Sequence, residues 1–98
     1  MKRGRLTIAV STLGAGPIVA TNICNFLAEQ YDEDYELYLE FLYRMRTEIK
    51  KKVPSPEQRG KLLKKLSQYD ILTDIHQGIY QEWSEAQIQR WITNNEED

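Results

Sequence analysis

One stretch decides the fold of this 98-residue chain: Arg5-Leu6-Thr7-Ile8-Ala9-Val10-Ser11-Thr12-Leu13-Gly14-Ala15-Gly16-Pro17. A segment of strand composition runs into a turn of small residues, and the chain then enters a helix. The mostly apolar pattern from Leu6 to Val10 indicates a strand that is buried on both faces. Because a lone strand leaves its backbone groups unpaired, we expect its partner to come from a second subunit or from another domain.

The first predicted helix begins at Pro17, with Gly16 as its N-cap. No charged residue occurs from position 17 to position 28, and a helix of that composition is usually buried on more than one side. A core or a dimer interface explains the pattern, and a ligand-lining face is the alternative. We expect a two-fold homodimer. Its interface is predicted to use Leu6, Ile8, Val10, Ile18 and Ile23.

The rest of the chain predicts helices and no second strand. Four more helices are expected. The first runs from about Asp34 to Lys52, and its apolar seam is Tyr35, Tyr38, Leu42, Met45 and Ile49. The second is capped by Ser55 with Pro56 at its first position, the third is a short one around Ile71–Ile75, and the fourth is capped by Ser84 with Gln87 as the reciprocal partner. The predicted fold class is therefore mostly α (α+β), with one N-terminal strand paired across a dimer and about five helices. Residues 1–30 are predicted to form a dimerisation segment, and residues 31–98 a C-terminal helical domain.

Composition narrows the classes of partner. The hydrophobic content of 41% and the net charge of −2 describe an ordinary soluble domain, so neither a membrane nor nucleic acid is expected as a partner. No signal peptide is expected, and the lone Cys24 fits a reducing cytoplasm. Nine basic residues lie between Arg44 and Lys65; they form either a solvated face or a surface for a polyanionic partner.

The glycine turn resembles a dinucleotide-binding loop only superficially. Val19 occupies the place of the third glycine, and no second strand with a ribose-binding acid follows. Two interpretations of the turn remain open, a tight structural turn and an anion site at the start of the helix. An anion would be bound by Ser11, Thr12 and the backbone N–H groups of Ala15, Gly16, Ile18 and Val19. The predicted substrate-binding residues are Ser11, Thr12, Gly14, Ala15 and Gly16.

No catalytic, cofactor-binding or metal-binding residue is predicted. One histidine and one cysteine cannot make a zinc site by themselves. His76 is interpreted as a surface or capping residue, while Asp32 and Asp34 are interpreted as charges that favour a helix start. No nucleophile lies beside a base in the sequence pattern.

The segment Leu6-Thr7-Ile8-Ala9-Val10-Ser11-Thr12-Leu13-Gly14-Ala15-Gly16-Pro17 resembles the middle of the sirohaem synthase family, precorrin-2 dehydrogenase/sirohydrochlorin ferrochelatase. The following Tyr35-Glu36-Leu37-Tyr38-Leu39-Glu40-Phe41-Leu42 resembles its short bacterial members. The resemblance is good over residues 3–50. It implies a parent enzyme that oxidises precorrin-2 to sirohydrochlorin with NAD, with insertion of ferrous iron as a second activity of the family.

The resemblance covers only the dimerisation segment and the C-terminal helical domain of that family. We therefore expect the NAD-binding domain and the catalytic aspartate to be missing from this chain, which by itself should bind no cofactor and show no activity. Gly16, Thr21 and Cys24 stand where the family has a serine and basic residues. Tetrapyrrole binding should therefore be weak. The alternative function is a non-catalytic helical dimerisation or interaction module.

Overall fold

A computed structural model describes residues 1–96, so positions 97 and 98 of the predicted helical domain lie outside the described residues. A small hairpin precedes five helices within this range. The strands are β1 (Lys2–Arg3) and β2 (Leu6–Thr7), and the helices are α1 (Pro17–Gln30), α2 (Asp34–Lys52), α3 (Pro56–Gln68), α4 (Leu72–His76) and α5 (Glu85–Asn95). The mostly helical fold class predicted from the sequence is confirmed.

The N-terminal strand differs from its prediction in length and in pairing. Strand β2 ends at Thr7, and it pairs antiparallel with β1, Arg3 opposite Leu6. The ladder is extended by Met1 and Ile8, which exchange two backbone hydrogen bonds of 2.9 Å. The expectation that this strand lacks a partner within the chain is therefore wrong. Gly4, with φ of +56°, makes the tight turn possible, and that turn was missed because Gly4-Arg5 is a weak hairpin signal.

The hydrophobic core lies among the four C-terminal helices. Helix α2 is the central element, and α3, α4 and α5 each pack against it. Met45, Ile49 and Ile92 are fully buried. The remaining buried core residues are Phe41, Val53, Leu62, Leu66, Ile71, Ile75 and Ile88. Because these side chains come from α2, α3, α5 and the segments around α4, they unite one compact helical unit.

The helix boundaries follow local capping chemistry. Ser55 accepts a hydrogen bond from the Gln58 N–H, and Pro56 opens α3 as predicted. Ser84 and Gln87 form the predicted capping box at the start of α5. Gly78, with φ of +73°, follows the end of α4, where the left-handed conformation favours glycine. These boundaries depend on neighbouring residues alone, which is why they could be predicted.

Aromatic rings pack edge to face along the helical unit. Trp83 contacts the ring of Phe41 on one side, at 5.0 Å between centroids, and that of Tyr69 on the other, at 5.8 Å. Tyr69 also contacts Trp91 on α5, at 6.4 Å. Such pairs stabilise packing beyond the area they bury. They tie the segment before α5, and α5 itself, to the central helix.

The hairpin is held against α2 by one cationic side chain. Arg5 donates from Nε to Glu40 Oε1 at 2.7 Å, and its guanidinium lies 3.5 Å from the centre of the Tyr43 ring. The backbone at Gly4 also approaches α2 closely, since a Cβ there would lie 2.7 Å from Cγ of Glu36. The start of the chain is thereby fixed on the helical unit.

Candidate functional site

The turn before α1 is closed by its own hydrogen bonds. Thr12 accepts from the Ala15 N–H with its carbonyl, at 3.1 Å, and from the Gly16 N–H with Oγ1, at 3.1 Å. Ser11 Oγ accepts from the Leu13 N–H at 3.2 Å. Leu13 has φ of 53° and Gly14 has φ of 84°, so the chain reverses through two consecutive left-handed residues.

These bonds reduce the set of donors that the sequence predicted for an anion. The N–H groups of Ala15 and Gly16 are engaged within the turn. The N–H groups of Ile18 and Val19, in the first turn of α1, have no partner within the helix. The hydroxyls of Ser11 and Thr12 can still donate a hydrogen each. The turn therefore offers an anion two amides and two hydroxyls.

Helix α1 presents an apolar stripe to solvent. Val19, Ile23 and Phe26 lie on one face and are 54%, 41% and 59% exposed. No residue of α1 is buried, and Ile18 is 77% exposed on a neighbouring face. Because positions 17–28 also carry no charge, the helix leaves unusually much apolar surface in water. Of the interface residues predicted on this helix, Ile23 lies within the stripe and Ile18 lies beside it.

The other three residues of the predicted interface lie on the extended segment before the turn. Leu6, Ile8 and Val10 are half-buried, whereas the alternating Thr7 and Ala9 are exposed. Within one chain the segment is therefore covered on one face only, in contrast to the predicted burial on both faces. One edge of β2 pairs with β1, so its second edge is the side on which a partner strand could add.

The opposite face of α1 carries Thr21 and Cys24, two of the three positions where the resemblance leads one to expect other residues. Cys24 is half-buried there, together with Ala28, whose carbonyl accepts a hydrogen bond from Arg3 at 3.5 Å. Thr21 is exposed, and its hydroxyl donates to the Pro17 carbonyl at 3.1 Å. Gly16 has extended backbone, with φ of −163°. No positive charge is supplied at these three positions.

A cavity of about 300 Å³, which no residue pattern predicted, lies between α2 and the segment before α5. Phe41, Tyr80 and Trp83 form its apolar wall, and Arg44 crosses it to donate to the Trp83 carbonyl and to Glu82. Burial, aided by the charge of Glu82, raises the pKa of the Tyr80 phenol. The cavity therefore holds aromatic surface beside an arginine that is already bonded.

The basic stretch from Arg44 to Lys65 is partly neutralised by its neighbours. Glu48 lies 3.9 Å from Lys51 and 3.5 Å from Lys52, and Lys65 donates to the Asn95 carbonyl at 2.9 Å. Exposed pairs of this kind contribute little stability. They nevertheless lower the net positive potential of the stretch, which favours the solvated face over a polyanion site.

Three metal-ligating side chains meet where α2 begins and α4 ends. Asp34 Oδ2 lies 2.6 Å from His76 Nδ1, and one ligand atom each of Asp32, Asp34 and His76 lies within 4.8 Å of the others. The interpretation of His76 as a surface or capping residue did not foresee this contact. The sequence carries no signal for it, because 42 residues separate Asp34 from His76.

The comparisons with known proteins agree on one family. Residues 35–81 match the family model described as the SirC C-terminal domain. A precorrin-2 dehydrogenase from Priestia megaterium is 41% identical over 61 residues, which are 62% of this chain and 30% of that protein. A solved structure of SirC, precorrin-2 dehydrogenase, is 29% identical with a TM-score of 0.69, over 96% of this chain and 42% of that one.

The fold, the turn and α1 thus define a helical segment of the kind found in precorrin-2 dehydrogenases of sirohaem biosynthesis. The chain is similar to the C-terminal part of these enzymes, and residues 35–81 carry the match to the SirC C-terminal domain. It spans less than half of the length of the relatives it matches. Among residues 1–96, no helix combines the length and the hydropathy needed to cross a bilayer.

Proposed function

We propose that this chain is the dimerisation segment and C-terminal helical domain of an enzyme that oxidises precorrin-2 to sirohydrochlorin with NAD. Insertion of ferrous iron is a second activity of that enzyme to be assayed. The single observation that carries the proposal is the structural similarity to a precorrin-2 dehydrogenase, which extends over nearly the whole chain. In this proposal the chain supplies the subunit contact and part of the tetrapyrrole site, and it acts in the cytoplasm.

The apolar stripe of α1 supports the subunit contact. Val19, Ile23 and Phe26 would be covered by the same helix of a second copy, and the free edge of β2 would lie beside the partner's. A two-fold axis next to α1 would cover the stripe and bring the two β2 edges together, because each subunit then contributes the same surface to the interface.

The turn before α1 supports part of a tetrapyrrole site. Tetrapyrroles of this pathway carry several carboxylates, and a carboxylate fits the amides of Ile18 and Val19 at the positive end of α1. Binding by this chain should be weak, because Gly16 offers no hydroxyl and Thr21 and Cys24 offer no charge. Added salt should weaken it further, since the contacts are exposed.

The experiment restores the family pattern with Gly16→Ser, Thr21→Lys and Cys24→Arg together. The serine is compatible with the backbone at Gly16, because its Cβ would lie 3.3 Å from Cγ2 of the exposed and movable Val19. Titration with uroporphyrin, followed by absorbance, should show tighter binding by about tenfold. Each charge-assisted hydrogen bond contributes about 1.5–3 kcal/mol when protected, and less in solvent.

The matched control adds the same two charges elsewhere, with Gln68→Lys and Asn94→Arg on exposed positions of α3 and α5. If the triple variant binds no better than this control, the turn is structural and the site assignment is wrong. The parent activity has its own assay: the native-length gene product should reduce NAD when given precorrin-2. Failure of that assay with a functional dimer would favour the alternative, a non-catalytic interaction module, which the altered positions 16, 21 and 24 also favour.

A further inference from the structure

The side chains of Asp32, Asp34 and His76 form the one mixed carboxylate–imidazole cluster among residues 1–96 that could hold a metal ion. Asp32 lies just before α2, Asp34 is its first residue, and His76 is the last residue of α4. Their ligand atoms lie within 4.8 Å of one another. We propose that these three residues bind a transition-metal dication such as Zn²⁺, independently of the tetrapyrrole chemistry proposed above.

The ligand types select the class of metal. Imidazole suits zinc, copper, iron and nickel, whereas magnesium and calcium prefer oxygen ligands alone. Around a tetrahedral Zn²⁺, with bonds of about 2.0–2.2 Å, neighbouring ligand atoms are about 3.4 Å apart. The present separations bracket that value, from 2.6 Å between Asp34 and His76 to at most 4.8 Å in the set. Small rotations of three side chains would complete the geometry.

The surroundings leave room for the ion and its water. The side chain of His76 is 43% exposed and that of Asp34 is 35% exposed, so open coordination positions face solvent. Helix α2 directs its positive end toward the cluster and opposes a cation. Glu33 and Glu36 add negative charge to the same turn, beyond the two aspartates, and that charge outweighs the helix end.

The competing explanation is that Asp34 and His76 form only an ion pair that fastens α4 to α2. The two explanations differ in the role of Asp32. An ion pair does not need Asp32, whose Oδ1 accepts a hydrogen bond from the Asp34 N–H at 3.1 Å. A metal site needs it as the third ligand. Asp32→Asn therefore leaves the ion pair intact and tests the site without loosening the fold.

The test titrates the intact chain with Co²⁺, which reports through its visible absorption, and with Zn²⁺ by calorimetry. His76 is the single histidine of the chain, so any metal-induced shift of an imidazole resonance belongs to it. Asp32→Asn should weaken Zn²⁺ binding by about tenfold, and His76→Gln should abolish the absorption. The matched control, Glu33→Gln, removes the same charge between the two aspartates and should stay within about twofold.

Three results would overturn the proposal: no imidazole shift with Co²⁺ or Zn²⁺, equal weakening by Glu33→Gln and Asp32→Asn, or equal competition by Mg²⁺. The first leaves only the ion pair, the second indicates diffuse attraction by an acidic turn, and the third indicates carboxylates acting without the imidazole. Cys24→Ser should bind as the unaltered chain does, because it removes the one thiol that could supply a competing site. None of these outcomes depends on tetrapyrrole binding or NAD.

Discussion

Replacing Ile23 by alanine should weaken the proposed dimer without disturbing the fold of the single chain. Ile23 is 41% exposed on the apolar stripe of α1, and it is absent from the core. Isoleucine to alanine removes three carbon groups, each contributing about 0.8 kcal/mol when buried. Scaling that sum by the exposed fraction gives about 1 kcal/mol per subunit and, because a two-fold interface holds two copies, about 2 kcal/mol per dimer. The dissociation constant should therefore rise about 30-fold.

The chain offers a matched control in Ile79→Ala. Ile79 is also an exposed isoleucine, at 62%, but it follows α4 and lies outside the proposed interface. Sedimentation equilibrium across a range of loading concentrations measures the dissociation constant of both variants and of the unaltered chain. Circular dichroism melts should be unchanged for the isolated Ile23→Ala monomer. A clean monomer of the unaltered chain at tens of micromolar, about the weak-interface regime, would refute the reasoning. Equal dissociation constants for the two variants would do the same.

Three further expectations concern the fold and its ligands. Titration of the chain with NAD should give no saturable heat, because the turn at Gly14 lacks the following strand and acid; micromolar binding would show that the turn has been misinterpreted. Ile92→Ala should lower the free energy of unfolding by about 2–5 kcal/mol in urea, because the side chain is fully buried. Hydrogen bonds from Thr73 lower the pKa of the Asp70 carboxyl, which means that they stabilise the folded state when this carboxyl is ionised. That small contribution to stability is present above the ordinary pKa of an aspartate and is lost as pH falls through the lowered pKa. Thr73→Val should return that pKa toward its ordinary value in a carboxyl ¹³C titration.

The parts of the fold that could be predicted are those encoded by adjacent residues. Pro17 after Gly16, Ser55 before Pro56, and Ser84 with Gln87 each mark a helix start through backbone hydrogen bonds that stay within a few positions. The apolar spacing along α2 likewise predicted its buried side, including Met45 and Ile49. Local chemistry of this kind does not depend on how the helices are arranged.

The parts that could not be predicted depend on contacts between distant positions. The Asp34–His76 contact and the bond from Arg44 to Trp83 join residues 42 and 39 positions apart. The cavity beside Phe41 exists only once α2 and the segment before α5 have met. The candidate turn was found from its glycines, but the engagement of the Gly16 amide by Thr12 depends on backbone angles that no residue pattern specified.

The edge-to-face aromatic rings make tryptophan fluorescence a probe of one part of the molecule. Both tryptophans of the chain, Trp83 and Trp91, contact Tyr69, whereas α1 contains no tryptophan. Emission from the indoles, excited directly or by energy transfer from Tyr69, therefore follows the docking of α5 and is insensitive to events at α1. A change of fluorescence emission at constant molecular mass in solution therefore reports loosening of the helical unit. A change of molecular mass at constant emission reports association alone.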